Sequence, residues 1–216
     1  FSNMVLIDEI NRAPAKTQAS LFEVMEEKQV TVDGVTHKMA FPFMVIATQN
    51  PIEQEGTYKL PEAQLDRFLF RIQLDYPTLK EEQEILRRFR NDFTKRQVAN
   101  VRAVLNAKEV KECQEIVEKI HIKDELLDYI AAITLNTRNN GDLFLGASPR
   151  ASLSIMQASK AVAAINGRDF VTPDDIQYVV FPVLNHRIIL TPEREMEGMD
   201  VRDVIKDIIA KVEVPR

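Results

Sequence analysis

The sequence predicts an α/β layer built on parallel strands, followed by an all-helical domain. Three observations carry this. Two short, nearly uninterrupted apolar runs, Met4 to Ile7 and Phe43 to Thr48, flank a single helical stretch. A sharp hairpin signal, Asp33-Gly34, lies between β-rich residues. After Tyr76-Pro77 only helical periodicity remains.

Strands buried on both faces of a parallel sheet carry continuous apolar runs rather than alternation, so both runs are expected to be fully buried. Ala13 to Lys28 places Leu21, Val24 and Met25 at helical spacing, with Pro14 in the first turn, and reads as the crossover between them. Val30 to Thr36 alternates around Asp33-Gly34, the pairing that favours a tight hairpin turn. Phe70 to Leu74 reads as a third strand.

From Thr78 onward the expected helices are Glu81 to Phe93, Ala107 to Ile120, Lys123 to Arg138, Pro149 to Asn166, Pro173 to Leu184 and Val201 to Val212. Two of their starts are well marked. Ser148-Pro149 and Thr172-Pro173 each offer a capping hydroxyl followed by proline, whose missing N–H costs nothing at the first helical position. The expected division is therefore 1–76 and 77–216.

The chain has 216 residues, 45% apolar and 28% charged, with a mean hydropathy of -0.20, which is ordinary globular material. With 28 basic and 33 acidic residues the net charge is -5. That gives no chain-wide attraction to phosphate backbones or anionic lipid. The single cysteine, Cys113, excludes an internal disulfide framework and favours a reducing compartment, the cytoplasm. It shares an apolar stripe with Val110, Val117 and Ile120 and is expected in the core. No run is long enough for a membrane helix, and Phe1-Ser2-Asn3-Met4 lacks signal-peptide order. The start falls inside a strand pattern, so the natural chain is expected to extend upstream.

Candidate chemistry sits at the strand ends. Asp8 and Glu9 follow the first strand directly. A carboxylate at the C-terminal edge of a parallel strand can hold Mg²⁺ through its waters, and a second can orient or deprotonate an attacking water. A buried strand that merely ends in two acids where it reaches solvent is the bland alternative. The second strand ends at Gln49-Asn50. A neutral amide there can hydrogen-bond a terminal phosphate oxygen and the water without repelling the phosphate, although Asn50-Pro51 is also an ordinary turn starter.

Arg67 follows a short predicted helix ending at Asp66, immediately before the third run. Such a guanidinium is displayed at an edge where it can reach a neighbour's nucleotide, or it pairs locally with Asp66 or Glu62. Arg150 occupies the first turn of a helix, where the macrodipole disfavours a cation. A bound phosphate or a nearby carboxylate would relieve that penalty.

Together, Leu6-Ile7-Asp8-Glu9-Ile10-Asn11-Arg12-Ala13-Pro14, Ala47-Thr48-Gln49-Asn50-Pro51, Leu60 to Phe68 and Ser148-Pro149-Arg150 resemble, in this order, the MoxR class of AAA+ ATPases. The resemblance covers nearly the whole chain. It implies a partial P-loop NTPase core followed by a helical lid, with ATP and Mg²⁺ as cofactors. By this likeness Asp8 and Glu9 are the Walker B pair, with Asp8 on the metal, Asn50 is sensor 1, Arg67 the arginine finger and Arg150 sensor 2. The neighbouring Arg71 stays open as the finger. The Asp33-Gly34 hairpin corresponds to the family's insertion before sensor 1. Members form homo-oligomeric rings, commonly hexamers, and are associated with chaperone-like maturation of partner enzymes, often beside a von Willebrand factor A domain protein.

One departure is clear. None of the glycines at 34, 56, 141, 146, 167 and 198 precedes a lysine, so the phosphate-binding G-x-x-x-x-G-K-[ST] loop is absent from these residues. The chain is expected to be a fragment that hydrolyses no ATP by itself. Related readings are a magnesium-chelatase subunit, a DNA helicase, or a non-catalytic assembly module. The stretch Arg87 to Arg96 interleaves basic and aromatic residues as a nucleic-acid patch would, but the acids at the start of its helix make the bases a complement to the dipole and the phenylalanines are expected as core contacts. His37, His121 and His186 show no ligand spacing, and no serine lies in a nucleophile elbow.

Overall fold

A computed structural model describes residues 2–50, 60–91 and 101–215. Strands β1 (Met4–Ile7) and β4 (Met44–Ala47) pair in parallel, with Met4 opposite Met44 and Ile7 opposite Ala47. A 3-10 turn, Ile10–Arg12, leads into α1 (Ala15–Glu27), the crossover. β2 (Gln29–Val32) and β3 (Val35–Lys38) form the antiparallel hairpin. Asp33 (φ 50) and Gly34 (φ 77) both take the left-handed conformation that the Asp-Gly pair predicts.

The two parallel strands depart from expectation in burial. Val5, Ile7, Val45 and Ala47 are half-buried, whereas Met4, Leu6, Met44 and Ile46 are 50%, 71%, 52% and 51% exposed. Only one face of the sheet is covered among the described residues. Ile10, Phe22 and Leu60 form a small core there, with Ile7, Ala47 and Phe68 packed against it.

α2 (Glu62–Leu65) precedes Arg67, as expected. The expected strand over Phe70 to Leu74 does not form, and the path to Thr78 is irregular. A strand needs a partner for its backbone groups. Here the Arg71 N–H donates instead to the Pro182 carbonyl, 2.9 Å away in the helical part.

The helical part contains α3 (Leu79–Phe89), α4 (Ala107–Lys119), α5 (Asp124–Arg138), α6 (Pro149–Ile165), α7 (Pro173–Leu184), α8 (Pro192–Met196) and α9 (Val201–Lys211). Its helices begin where the caps predict. Thr78 and Glu81 form a reciprocal capping box that starts α3 two residues earlier than periodicity alone indicated. The Ser148 hydroxyl caps α6 through the Arg150 N–H at 3.1 Å.

Helices are not the whole of this part. A short antiparallel ribbon, β5 (Leu143–Leu145) with β6 (Ile189–Leu190), and the brief α8 were missed because such segments are too short to show a period. The core gathers Ile130, Ile133, Ile155, Ile176, Val180 and Ile205, all nearly inaccessible. Cys113, expected there, is exposed: α4 turns Val117 and Ile120 inward and leaves Cys113 and Ile116 outside. Among the described residues no helix is long and apolar enough to cross a membrane.

Candidate functional site

The ends of β1 and β4 form one polar cluster. The Thr48 N–H donates to the Ile7 carbonyl at 2.9 Å, which continues the parallel ladder past the strands and brings the Thr48 side chain beside Asp8. Its hydroxyl donates to Asp8 Oδ1 at 2.5 Å and accepts from the Glu9 N–H at 2.8 Å. Glu9 is held in the left-handed region, φ 49 and ψ 54, a conformation that costs a residue with a Cβ about 1–2 kcal/mol. The turn redirects the chain out of the sheet and aims the Glu9 carboxylate sideways. There Asn50 Nδ2 lies 3.4 Å from Glu9 Oε1, and Arg12 Nε lies 3.0 Å from Glu9 Oε2. The Asn11 amide donates to the Asn50 carbonyl at 3.3 Å and fixes that loop against the turn.

Asp8 is exposed and Glu9 and Asn50 are half-buried, so the cluster is accessible to solvent. Its donors near Asp8 are hard oxygens, a set that suits hydrated Mg²⁺ rather than a softer metal. The described residues fit such an ion on Asp8, with Glu9 beside it.

Arg67 and Arg150 do not join this cluster. Both reach Glu26 near the C-terminal end of α1: Arg67 Nη1 lies 2.8 Å from one carboxylate oxygen and Arg150 Nη2 lies 3.0 Å from the other. Along α1 that is about 16 Å from the turn that carries Glu9. Arg67 thus has a carboxylate partner, though the distant Glu26 rather than the neighbouring Asp66 or Glu62. Arg150 has the carboxylates that its place in the first turn of α6 calls for, Glu26 and, at 3.7 Å, Asp66. All of these side chains except Asp66 are 30–47% exposed, so the pair contributes little to stability and is open to exchange for another anion.

Beneath the arginines lies a buried network absent from the sequence reading. Arg187, whose side chain is 2% exposed, pairs with Asp66 at 3.0 Å. His186, also buried, presents Nε2 to the Phe68 carbonyl at 2.9 Å. Burial first, then the Arg187 charge, push His186 down from 6.5 to about 4.

Of the residues that sequence reasoning named, the structure brings Asp8, Glu9 and Asn50 together and places Arg67 and Arg150 on Glu26; Thr48, Glu26 and Arg187 were not named as site residues. Thr48 had a signal, being a hydroxyl at the end of an apolar strand beside a carboxylate strand end. Glu26 had none. Arg187 had only its place just past a helix C-terminus, where cations are favoured.

Residues 1–70 match the ATPase family associated with various cellular activities (AAA), and residues 135–208 match the AAA lid domain. YeaC of Bacillus subtilis is 43% identical over 215 residues, covering 100% of this chain and 66% of its own. Chaperone MoxR1 of Mycobacterium tuberculosis is 41% identical over 224 residues, covering 100% of this chain and 58% of its own. A crystal structure of a candidate ATPase from Cytophaga hutchinsonii superposes with a TM-score of 0.91 at 41% identity, covering 100% of this chain and 67% of that one. The chain thus spans about two thirds or less of the length of these relatives.

Proposed function

Since this chain belongs to the MoxR class of AAA+ ATPases, we propose that it supplies the hydrolysis and sensing residues of an ATP-driven, ring-forming motor. The observation that carries this is the convergence of Asp8, Glu9, Thr48 and Asn50 at two neighbouring parallel strand ends. In this reading residues 1–76 are the C-terminal part of the nucleotide-binding core and residues 77–216 the lid.

Asp8 would hold Mg²⁺, which would supply positive charge against the phosphates. Glu9 accepts a proton from the attacking water as its oxygen bonds to the terminal phosphorus and the bond to the ADP oxygen breaks. Asn50 orients the water and a phosphate oxygen. Thr48 holds Asp8 and the Glu9 backbone in register.

The separation of the arginines from Glu9 favours action between subunits. Arg67, paired with Arg150, would stabilise charge on a nucleotide held by the neighbour, with phosphate replacing Glu26. A head-to-tail ring, commonly hexameric in this class, provides that geometry. The work done is proposed to be chaperone-like maturation of a client enzyme, beside a von Willebrand factor A domain partner, in the cytoplasm.

The test uses the full-length protein. Arg67→Ala subunits and Glu9→Gln subunits should each be nearly inactive alone and recover turnover when mixed, because a mixed interface joins an intact Glu9 to an intact Arg67. No recovery sinks the trans assignment. Full turnover by Glu9→Gln alone sinks the catalytic one.

A further inference from the structure

We propose that Asp66 and Arg187 are positioning residues that set Arg67 against Arg150, so that the lid dictates the geometry of the arginine pair. This rests on the reading of Arg67 given above. Asp66 immediately precedes Arg67, and the helical part holds both of its carboxylate oxygens. Oδ1 accepts from Arg187 Nε at 3.0 Å. Oδ2 accepts from the Ser148 hydroxyl at 2.8 Å and lies 3.7 Å from Arg150 Nη1. One carboxylate therefore touches the cap of α6, the arginine on α6 and the residue that anchors the finger.

The Arg187 guanidinium also grips the backbone on both sides of Arg67. Nη2 donates to the carbonyls of Asp66 at 3.0 Å and Phe68 at 2.7 Å, and Nη1 donates to Leu69 at 3.2 Å. Nη1 further caps α7 through the Val183 carbonyl at 2.6 Å. His186 adds a second bond to the Phe68 carbonyl, and the Asn185 amide takes the Arg71 carbonyl at 3.0 Å. Three consecutive residues after α7 thus read the backbone from 66 to 71.

An apolar contact could join the two parts as firmly, since a buried ion pair is weak evidence for stability. It could not orient a run of carbonyls. A planar fork of several N–H groups can, and lysine, a point donor, cannot replace it. The structure fixes where the Arg67 side chain starts, through the backbone on both sides of it.

The test compares Asp66→Asn and Arg187→Lys in the full-length protein, with Arg67→Ala as reference. Both variants should assemble, keep KM for ATP within about threefold and lose about a hundredfold in kcat, the cost of a displacement near 1 Å in a reacting group. Mixed with Glu9→Gln subunits, each should regain activity at about a quarter of its interfaces, since head-to-tail assembly joins opposite faces.

Wild-type kcat in both variants overturns the proposal. So does loss that mixing fails to rescue while Arg67→Ala is rescued, or failure of both to assemble, because the pair is then a structural clasp. If Arg67→Ala itself is not rescued, the trans reading falls and this inference with it.

Discussion

His186 shows how a single side chain acquires a role from its surroundings. Its Nε2 faces a carbonyl and carries the hydrogen, while burial and the neighbouring Arg187 and Arg71 charges oppose a second proton and outweigh the Phe68 hydrogen bond and Asp66, which favour it. Its pKa is lowered to about 4 from an unfolded value of 6.5. The unfolded chain therefore takes up a proton between these pH values while the folded one does not. Stability is complete above about pH 6.5 and declines toward pH 4, by up to about 1.4 kcal/mol per pH unit. The melting temperature should fall between pH 7.5 and 5, and His186→Gln, which keeps a donor for Phe68, should flatten that fall. An unchanged pH dependence in the variant would remove His186 as its source.

At the scale of elements, caps and turn residues decide where structure begins. Thr172 and Asp175 start α7 with a capping box, and Arg168 clamps the same carboxylate from outside with both terminal nitrogens. Burial would raise the Asp175 carboxyl, but hydrogen bonds from Arg168 and Thr172 outweigh it and hold it below its ordinary value. Asp175→Ala removes the cap and strands Arg168, and should destabilise the helical part by about 3 kcal/mol, read as a lower urea midpoint. Elements with such local signals were legible: the hairpin through Asp33-Gly34, α6 through Ser148-Pro149, α7 through Thr172-Pro173. The run Phe70 to Leu74 was misread because its composition suits a strand, yet Asn185 and Pro182 take its Arg71 backbone groups. Cys113 was misplaced because helical spacing names a stripe without saying which of its members the neighbours cover.

At the scale of the molecule, burial is uneven. The helical part has a continuous core, whereas the α/β part has the small cluster around Ile10, Phe22 and Leu60 and a sheet face left exposed. These 216 residues carry no phosphate-binding loop, so by themselves they should show no ATP turnover in a phosphate-release assay, and the proposed function expects turnover of the full-length protein in the same assay. Turnover by the fragment that disappears in Glu9→Gln would contradict this. The sequence by itself determined the hairpin, the longer helices and the strand ends that carry Asp8, Glu9 and Asn50, because periodicity, caps and turns act over a few neighbouring residues. Only the tertiary structure decided that Arg67 and Arg150 share Glu26 and that Arg187 grips Asp66. Those partners lie 41, 124 and 121 residues apart along the chain, where only packing of the whole brings side chains within a hydrogen bond.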